Sequence, residues 1–211
     1  MKITKLGHSC LVIEETGLRI LTDPGEYTSA QNDLNNLDVL LIADKDPDHF
    51  NLGSVNIILA NNPRVQVFTN HDVGEVLTNE SIEYQLLEHG QSTEVKGVGI
   101  EAFGEKHAPM HSSLPAKSNT GFLIAERFFY PGDNFTIPPK PVEILAVPIA
   151  GPWLKLSEAI DYAMAVRPKI CFPIHEGMLK KVGSPHRLPA KVLEPLGIAF
   201  QVLESEKEYL F

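Results

Sequence analysis

An apolar run that leads directly into an acidic loop is the feature that most constrains this chain. Residues 38–43 read DVLLIA, a pattern typical of a strand that is covered on both faces. The next six residues, 44–49, read DKDPDH and place carboxylates at alternate positions beside an imidazole. An acidic turn of this kind is often only a solvated loop. At the end of a buried strand, however, it is a candidate cradle for a metal ion.

Short β-prone runs recur along the chain and are separated by turn residues. We predict strands at residues 3–6, 10–14, 18–22, 38–43, 65–69, 120–125, 127–130, 143–148, 169–173, 199–203 and 208–211, with further short strands between 84 and 104. Helices are predicted at 51–60, 71–79, 157–166 and 187–196, the third with Ser157 as its N-cap. Strands in two long runs, interspersed with helices, indicate an α/β fold of two packed sheets with helices outside.

The composition is that of an ordinary globular protein. Of 211 residues, 43% are hydrophobic and 21% are charged, so we expect a single domain over residues 1–211. No apolar run is long enough to span a bilayer, and we expect no signal peptide because residues 1–4 lead straight into a strand-like segment. Cys10 and Cys171 lie in apolar surroundings. We therefore predict buried free thiols, a cytoplasmic location and no membrane partner.

The net charge of the chain indicates which class of partner it binds. The net charge is −9, and no basic cluster exists beyond Lys180 and Lys181. Because nucleic-acid-binding proteins usually carry a basic face, we expect no nucleic-acid partner. A small-molecule substrate is the expected ligand, and a homo-oligomer remains open.

Three further polar side chains follow apolar strands. Asp133 lies in the turn YPGD, His175 ends the segment FPIH, and His107 follows the predicted strand that ends near residue 103. Strand ends on one edge of a sheet converge in α/β folds. We therefore expect these side chains to lie near the acidic loop 44–49.

The order of these segments resembles the metallo-β-lactamase superfamily. The matching set is GHSC, ILTDP, DKDPDH, an isolated His, GFLI, PGD, VPIAG and PIHEG, which together cover nearly the whole chain. The most similar branch contains L-ascorbate-6-phosphate lactonase and other metal-dependent hydrolases. The resemblance implies a four-layer αββα sandwich, in which two mixed β-sheets are flanked by helices.

The resemblance also implies a metal centre. Asp48 and His49 match the last two positions of the family motif HxHxDH, and Asp133 matches the Asp that bridges two metals. His175 matches the last metal-binding His, so these four residues would complete one site. His107 matches a His of the other site.

This chain departs from the family pattern at the two leading histidines, where Asp44 and Asp46 stand. One interpretation is loss of the first site, which leaves one ion or none. The other is substitution in kind, since carboxylates are themselves ligands and favour harder cations than imidazole does. The implied cofactor is one or two divalent ions of zinc, manganese or iron.

Two functions follow from these alternatives. In the first, the chain is a metal-dependent hydrolase in which a metal-held water attacks a small ester, lactone or phosphoester, with Asp48 as the catalytic residue that accepts or passes a proton. In the second, it is a catalytically inactive binding protein that kept the fold.

Other polar and aromatic residues allow more than one role. His8 either orients a neighbouring loop or reaches the substrate, and Trp153 either lines the pocket or packs under a helix. His111 lies in a loop, 108–118, that could cover the site, but a surface position is the favoured interpretation. Structural or solvated roles are expected for His71, His89 and His186.

Overall fold

The computed structural model describes residues 1–211 as fourteen strands and four α-helices. The strands are β1 (Lys2–Gly7), β2 (Cys10–Glu15), β3 (Leu18–Thr22), β4 (Val39–Ile42), β5 (Gln66–Thr69), β6 (Gln85–Leu86), β7 (Ser92–Val95), β8 (Val98–Phe103), β9 (Gly121–Ile124), β10 (Phe128–Tyr130), β11 (Ile144–Pro148), β12 (Ile170–Ile174), β13 (Ala199–Phe200) and β14 (Glu208–Leu210). The helices are α1 (Leu52–Asn61), α2 (His71–Asn79), α3 (Leu156–Val166) and α4 (Ser184–Leu193).

The strands form two seven-stranded mixed sheets. The first has the order β14-β1-β2-β3-β4-β5-β6, and it is parallel from β3 to β6 and antiparallel elsewhere. The second has the order β13-β12-β11-β10-β9-β8-β7, and it is parallel from β10 to β13. This is the four-layer arrangement of the metallo-β-lactamase fold, as predicted.

Three apolar layers separate the four structural layers. The inner faces of the two sheets meet through side chains such as Ile20 and Leu41 on one side and Phe122 and Phe172 on the other. The outer face of the first sheet packs on α1 and α2, and that of the second on α3 and α4. Each central strand is therefore buried on both faces, which explains its continuous apolar sequence.

The start of α3 differs from the prediction that Ser157 is the N-cap. The N-cap is Lys155, and the helix begins at Leu156. The Glu158 carboxylate accepts a hydrogen bond of 2.7 Å from the Lys155 backbone N–H, which fixes the first turn. Had Ser157 been the N-cap, the third helical residue would have been Ile160, which cannot return such a bond.

The start of α4 also lies earlier than predicted, at Ser184. Pro185 occupies its first turn, where a residue without a backbone N–H loses nothing. Cys10 and Cys171 are buried and free, as predicted. None of the helices has the length and apolar character needed to cross a membrane.

The carboxyl ends of the parallel strands lie on one edge of the sandwich. β3 and β4 lead into Asp23 and the acidic loop 44–49, while β10 and β12 lead into the turn of Asp133 and into His175. The loop after β3 is held against the acidic loop, because Glu26 N–H donates to the Pro47 carbonyl at 2.9 Å. Both sheets thus contribute polar side chains to the same edge.

Gly25 permits the close approach of these two loops. A Cβ at this position would lie 1.8 Å from the carbonyl oxygen of Asp48. We expect Gly25→Ala to force the loops apart and to lower the free energy of unfolding by about 1–3 kcal/mol, the usual cost of overpacking. Denaturant unfolding measures this change. Gly99→Ala is the matched control, because its Cβ would meet nothing within 4 Å. Equal unfolding midpoints for the two variants would contradict this account of Gly25.

Candidate metal centre

Five of the seven predicted metal-ligating residues converge at this edge, joined by His8. Their donor atoms form two groups, each with all atoms within 4.8 Å of one another. One group contains His8, Asp48, His49 and His175, and the other contains Asp44, His49 and Asp133. His49 belongs to both groups and is fully buried.

The ring nitrogens of His49 and His175 face a common point. Their Nε2 atoms are 3.1 Å apart, and they lie 3.1 Å and 2.9 Å from Asp133 Oδ1. Asp48 Oδ2 lies 3.2 Å from His175 Nε2. Tetrahedral ligands at about 2.0–2.2 Å from a zinc ion are separated by roughly 3.3–3.6 Å. The donors of His49, His175 and Asp133 are slightly closer together than this spacing, and Asp48 lies beside His175, so these side chains could close around one divalent ion.

Two buried oxygens in this cluster have no hydrogen-bond partner, Asp44 Oδ2 and Asp133 Oδ1. Asp133 Oδ1 is close to both ring nitrogens but accepts no well-aligned hydrogen bond from either. A buried carboxylate oxygen without a partner is costly. A cation bound between these groups would satisfy both oxygens, so the residues present fit a metal ion.

The outer ring nitrogens of the two histidines are held by acceptors. His175 Nδ1 donates to the Ala150 carbonyl at 2.6 Å, and His49 Nδ1 donates to Asp23 Oδ2 at 2.5 Å. Acceptors at Nδ1 leave the lone pair of each neutral ring on Nε2, which faces the cluster. This is the arrangement that orients histidines for metal binding.

Asp23 is a fully buried carboxylate that contacts both sheets. Its Oδ1 accepts the Ala43 backbone N–H at 2.7 Å, and its Oδ2 accepts both His49 and the hydroxyl of Tyr130 on β10. Three donors on one carboxylate satisfy its charge within the core. Asp23 therefore fixes the ring of His49 relative to the second sheet.

Burial and neighbouring charges shift the pKa values of the cluster in opposite directions. Burial raises the pKa of Asp44 to about 7, although the nearby His49 opposes this change. Burial acts the same way on Asp133, but the charge of His49 and the proximity of His107 and His175 outweigh it and hold its pKa well below the usual value. For His49, burial is outweighed by Asp44, Asp133 and Asp23, and the pKa is raised. The cluster is thus a set of strongly interacting acids and bases.

His8 contacts Asp48 rather than the open cavity. Its Nδ1 accepts the Gly177 backbone N–H at 3.1 Å, so its Nε2 carries the proton and donates to Asp48 Oδ2 at 3.1 Å. Burial lowers the pKa of His8 to about 4, which keeps the ring neutral. Burial would raise the pKa of Asp48, but the proximity of His175 and the hydrogen bond from His8 lower it below the usual range. His8 therefore orients both Asp48 and the loop at Gly177.

Asp46 and His107 lie outside both donor groups. Asp46 Oδ1 is paired with Lys117 Nζ at 2.5 Å, and Asp46 Oδ2 is 3.7 Å from His107 Nε2. His107 Nε2 is 3.2 Å from Asp133 Oδ2, which also accepts the Trp153 indole N–H at 2.8 Å. The carboxylate oxygens on this side of the centre therefore already have partners within the protein.

An open cavity of about 320 Å³ lies beside the centre. Asp48, Asp133 and His175 form its polar floor, and Trp153 is one of its aromatic walls. His111 is exposed and contacts Ser113, away from this cavity. Of the histidines expected to be structural or solvated, His71 pairs with Glu88, His89 accepts the Gly104 N–H, and His186 lies against Glu176.

Sequence analysis assigned no role to Asp23, Tyr130 or Lys117. Asp23 could have been found, because it follows a predicted strand in the same way as Asp133 and His175 do. Tyr130 ends an apolar strand and resembles a core residue. Lys117 lies in the loop 108–118, where the sequence carries no periodic signal.

Comparison with known proteins identifies the family of this chain. The sequence pattern of the beta-lactamase superfamily domain matches residues 2–175. The protein Rv0786c of Mycobacterium tuberculosis is 30% identical over 184 residues, which are 85% of each chain. A UPF0173 metal-dependent hydrolase of Carboxydothermus hydrogenoformans is 24% identical over 193 residues, covering 83% of this chain and 84% of that one.

A solved structure shows the same architecture. Igni18, a metallo hydrolase of the archaeon Ignicoccus hospitalis, superposes with a TM-score of 0.76 at 19% identity, covering 100% of this chain and 98% of the other. This likeness concerns the fold alone. Because the family pattern covers residues 2–175 and a relative at 30% identity covers 85% of the chain, the protein belongs to the beta-lactamase superfamily.

Proposed function

We propose that this protein is a metal-dependent hydrolase whose ion is held by Asp48, His49, Asp133 and His175, with Asp44 beside it. The observation that carries the proposal is that these donors converge beside two buried carboxylate oxygens without hydrogen-bond partners, Asp44 Oδ2 and Asp133 Oδ1. The printed names of two relatives, a metal-dependent hydrolase and a metallo hydrolase, support the same reaction class. A small ester, lactone or phosphoester is the proposed substrate.

The side chains around the centre would have different roles in hydrolysis. When bound, a divalent ion supplies Lewis acidity, which polarises a substrate oxygen and makes a nearby water more acidic. Asp48 has a side chain that is 18% exposed and lines the cavity. Its carboxylate can orient an attacking water and accept a share of that water's proton in the transition state. His8 holds that carboxylate in place, and Trp153 shields Asp133 from water.

The first prediction concerns metal-dependent stability. We expect a chelator to lower the melting temperature and Zn²⁺ or Mn²⁺ to restore it, because an ion that binds only the folded state stabilises it by about 2.7 kcal/mol at a hundredfold excess over Kd. His175→Ala should abolish this shift. His111→Ala is the matched control and should retain it, since His111 is remote from the cluster. A full metal response in His175→Ala would refute the ligand assignment.

A second prediction concerns turnover. Metal-loaded protein is assayed against generic esters, lactones and phosphodiesters, and the most active substrate is retested with Asp48→Asn. We expect a loss of about 10²-fold or more in kcat, the contribution of a positioned proton acceptor. Hydrolysis that survives both Asp48→Asn and His175→Ala would place the activity elsewhere. Stoichiometric metal without any turnover would favour a binding protein over an enzyme.

The third prediction concerns Asp23. Asp23→Asn keeps the size of the side chain but replaces one acceptor oxygen with a donor, so at least one of its three partners loses its bond. We expect metal affinity to fall by about 10–100-fold, the usual effect of losing a partner that orients a ligand. Isothermal titration with Zn²⁺ measures this change. Asp161→Asn, on the exposed face of α3, should leave affinity unchanged. Equal affinity in both variants would show that Asp23 does not orient His49.

A further inference from the structure

Lys117 is the only lysine or arginine that lines the cavity beside the metal centre. Its side chain is 31% exposed, and its ammonium forms an ion pair with Asp46 Oδ1. The Lys117 carbonyl also accepts the His107 backbone N–H at 2.9 Å, which anchors this end of the loop to the centre. A fixed positive charge therefore faces the space that a substrate would enter.

The buried carboxylate oxygens of the centre that lack a hydrogen-bond partner lie on the His49 side, away from Lys117. Both partnerless buried oxygens, on Asp44 and Asp133, point toward His49. On the Lys117 side, Asp46 Oδ1 already has a cationic partner, and Asp133 Oδ2 accepts the Trp153 indole N–H and lies 3.2 Å from His107 Nε2. The carboxylates near His49 therefore keep oxygens without partners, whereas those near Lys117 already have partners within the protein.

Electrostatic repulsion opposes the simultaneous binding of a divalent ion and of the Lys117 ammonium to Asp46 Oδ1. A divalent ion that used Asp46 Oδ1 as a ligand would lie within a few ångströms of the Lys117 ammonium, at a partly buried site where like charges repel strongly. A second ion and the Lys117 ammonium would therefore compete for Asp46. The short contact between Lys117 and Asp46 favours the ammonium.

We propose that the centre takes one divalent ion, on the His49 and His175 side, and that Lys117 supplies the second positive charge. The inference rests on the proposed function and deepens it. The ammonium would donate a hydrogen bond to an anionic oxygen of the substrate or product, so the pocket suits an acyl or phosphoryl group with negative charge on its oxygen. Asp46 then serves as a positioning residue that holds Lys117.

Ion number tests the first half of the proposal. The whole protein is saturated with Mn²⁺, freed of excess ion and analysed by elemental analysis and electron paramagnetic resonance. We expect one ion per chain with the six-line signal of an isolated Mn²⁺. Two ions per chain, or a coupled-pair signal, would overturn this inference and leave the proposed function standing. No bound Mn²⁺ or Zn²⁺ at all would overturn both.

Anion binding tests the second half. The Mn²⁺-loaded protein is titrated with inorganic phosphate, and binding is followed by calorimetry and by the Mn²⁺ resonance. We expect Lys117→Met to bind one ion as wild type does but to bind phosphate at least about tenfold more weakly, the loss expected for one charge-assisted hydrogen bond. Lys117→Arg should recover most of this affinity, because it keeps the positive charge.

Lys106→Met is the matched control, because Lys106 lies on the same segment but does not line this cavity. It should bind phosphate as wild type does. Unchanged phosphate affinity in Lys117→Met, or an equal loss in Lys106→Met, would overturn the role of Lys117. If Lys117→Met proves unstable, Lys117→Gln replaces it and the same outcomes decide.

Discussion

The buried carboxylate of Asp23 is the interaction on which the rest of the centre depends. It ends β3, accepts the first backbone N–H beyond β4, and holds both His49 and the Tyr130 hydroxyl from the opposite sheet. Its φ of 38° lies in the left-handed region, which aspartate tolerates better than most residues. A lone carboxylate in an apolar core would be prohibitively costly, so its three donors are a condition of the fold as well as of the site.

The centre is asymmetric because its acidic residues are balanced in different ways. On one side, Asp44 and Asp133 keep oxygens that no protein donor satisfies. On the other, Asp46 is neutralised by a lysine. The same acidic loop thus presents one carboxylate to a potential ion and another to a fixed ammonium.

Local sequence patterns predicted the fold well because each apolar run and each turn acts over a few residues. All four predicted helices and both runs of strands exist, with shifted starts for α3 and α4, and the strand-end rule brought Asp48, His49, Asp133 and His175 together. The predicted start of α3 was wrong because the hydrogen bond that the Glu158 carboxylate accepts from the Lys155 backbone N–H outweighed the preference of Ser157 for an N-cap position. The pairing of Asp46 with Lys117 was unpredictable, since it joins residues 71 positions apart through an irregular loop.

The facing ring nitrogens of His49 and His175 come from different sheets and are separated by 126 positions in the chain. An unfolded chain does not hold such distant donors together, so the complete site exists only in the native state. Metal binding at this edge would therefore be coupled to folding, and a bound ion would link the loops that follow β4 and β12, one from each sheet.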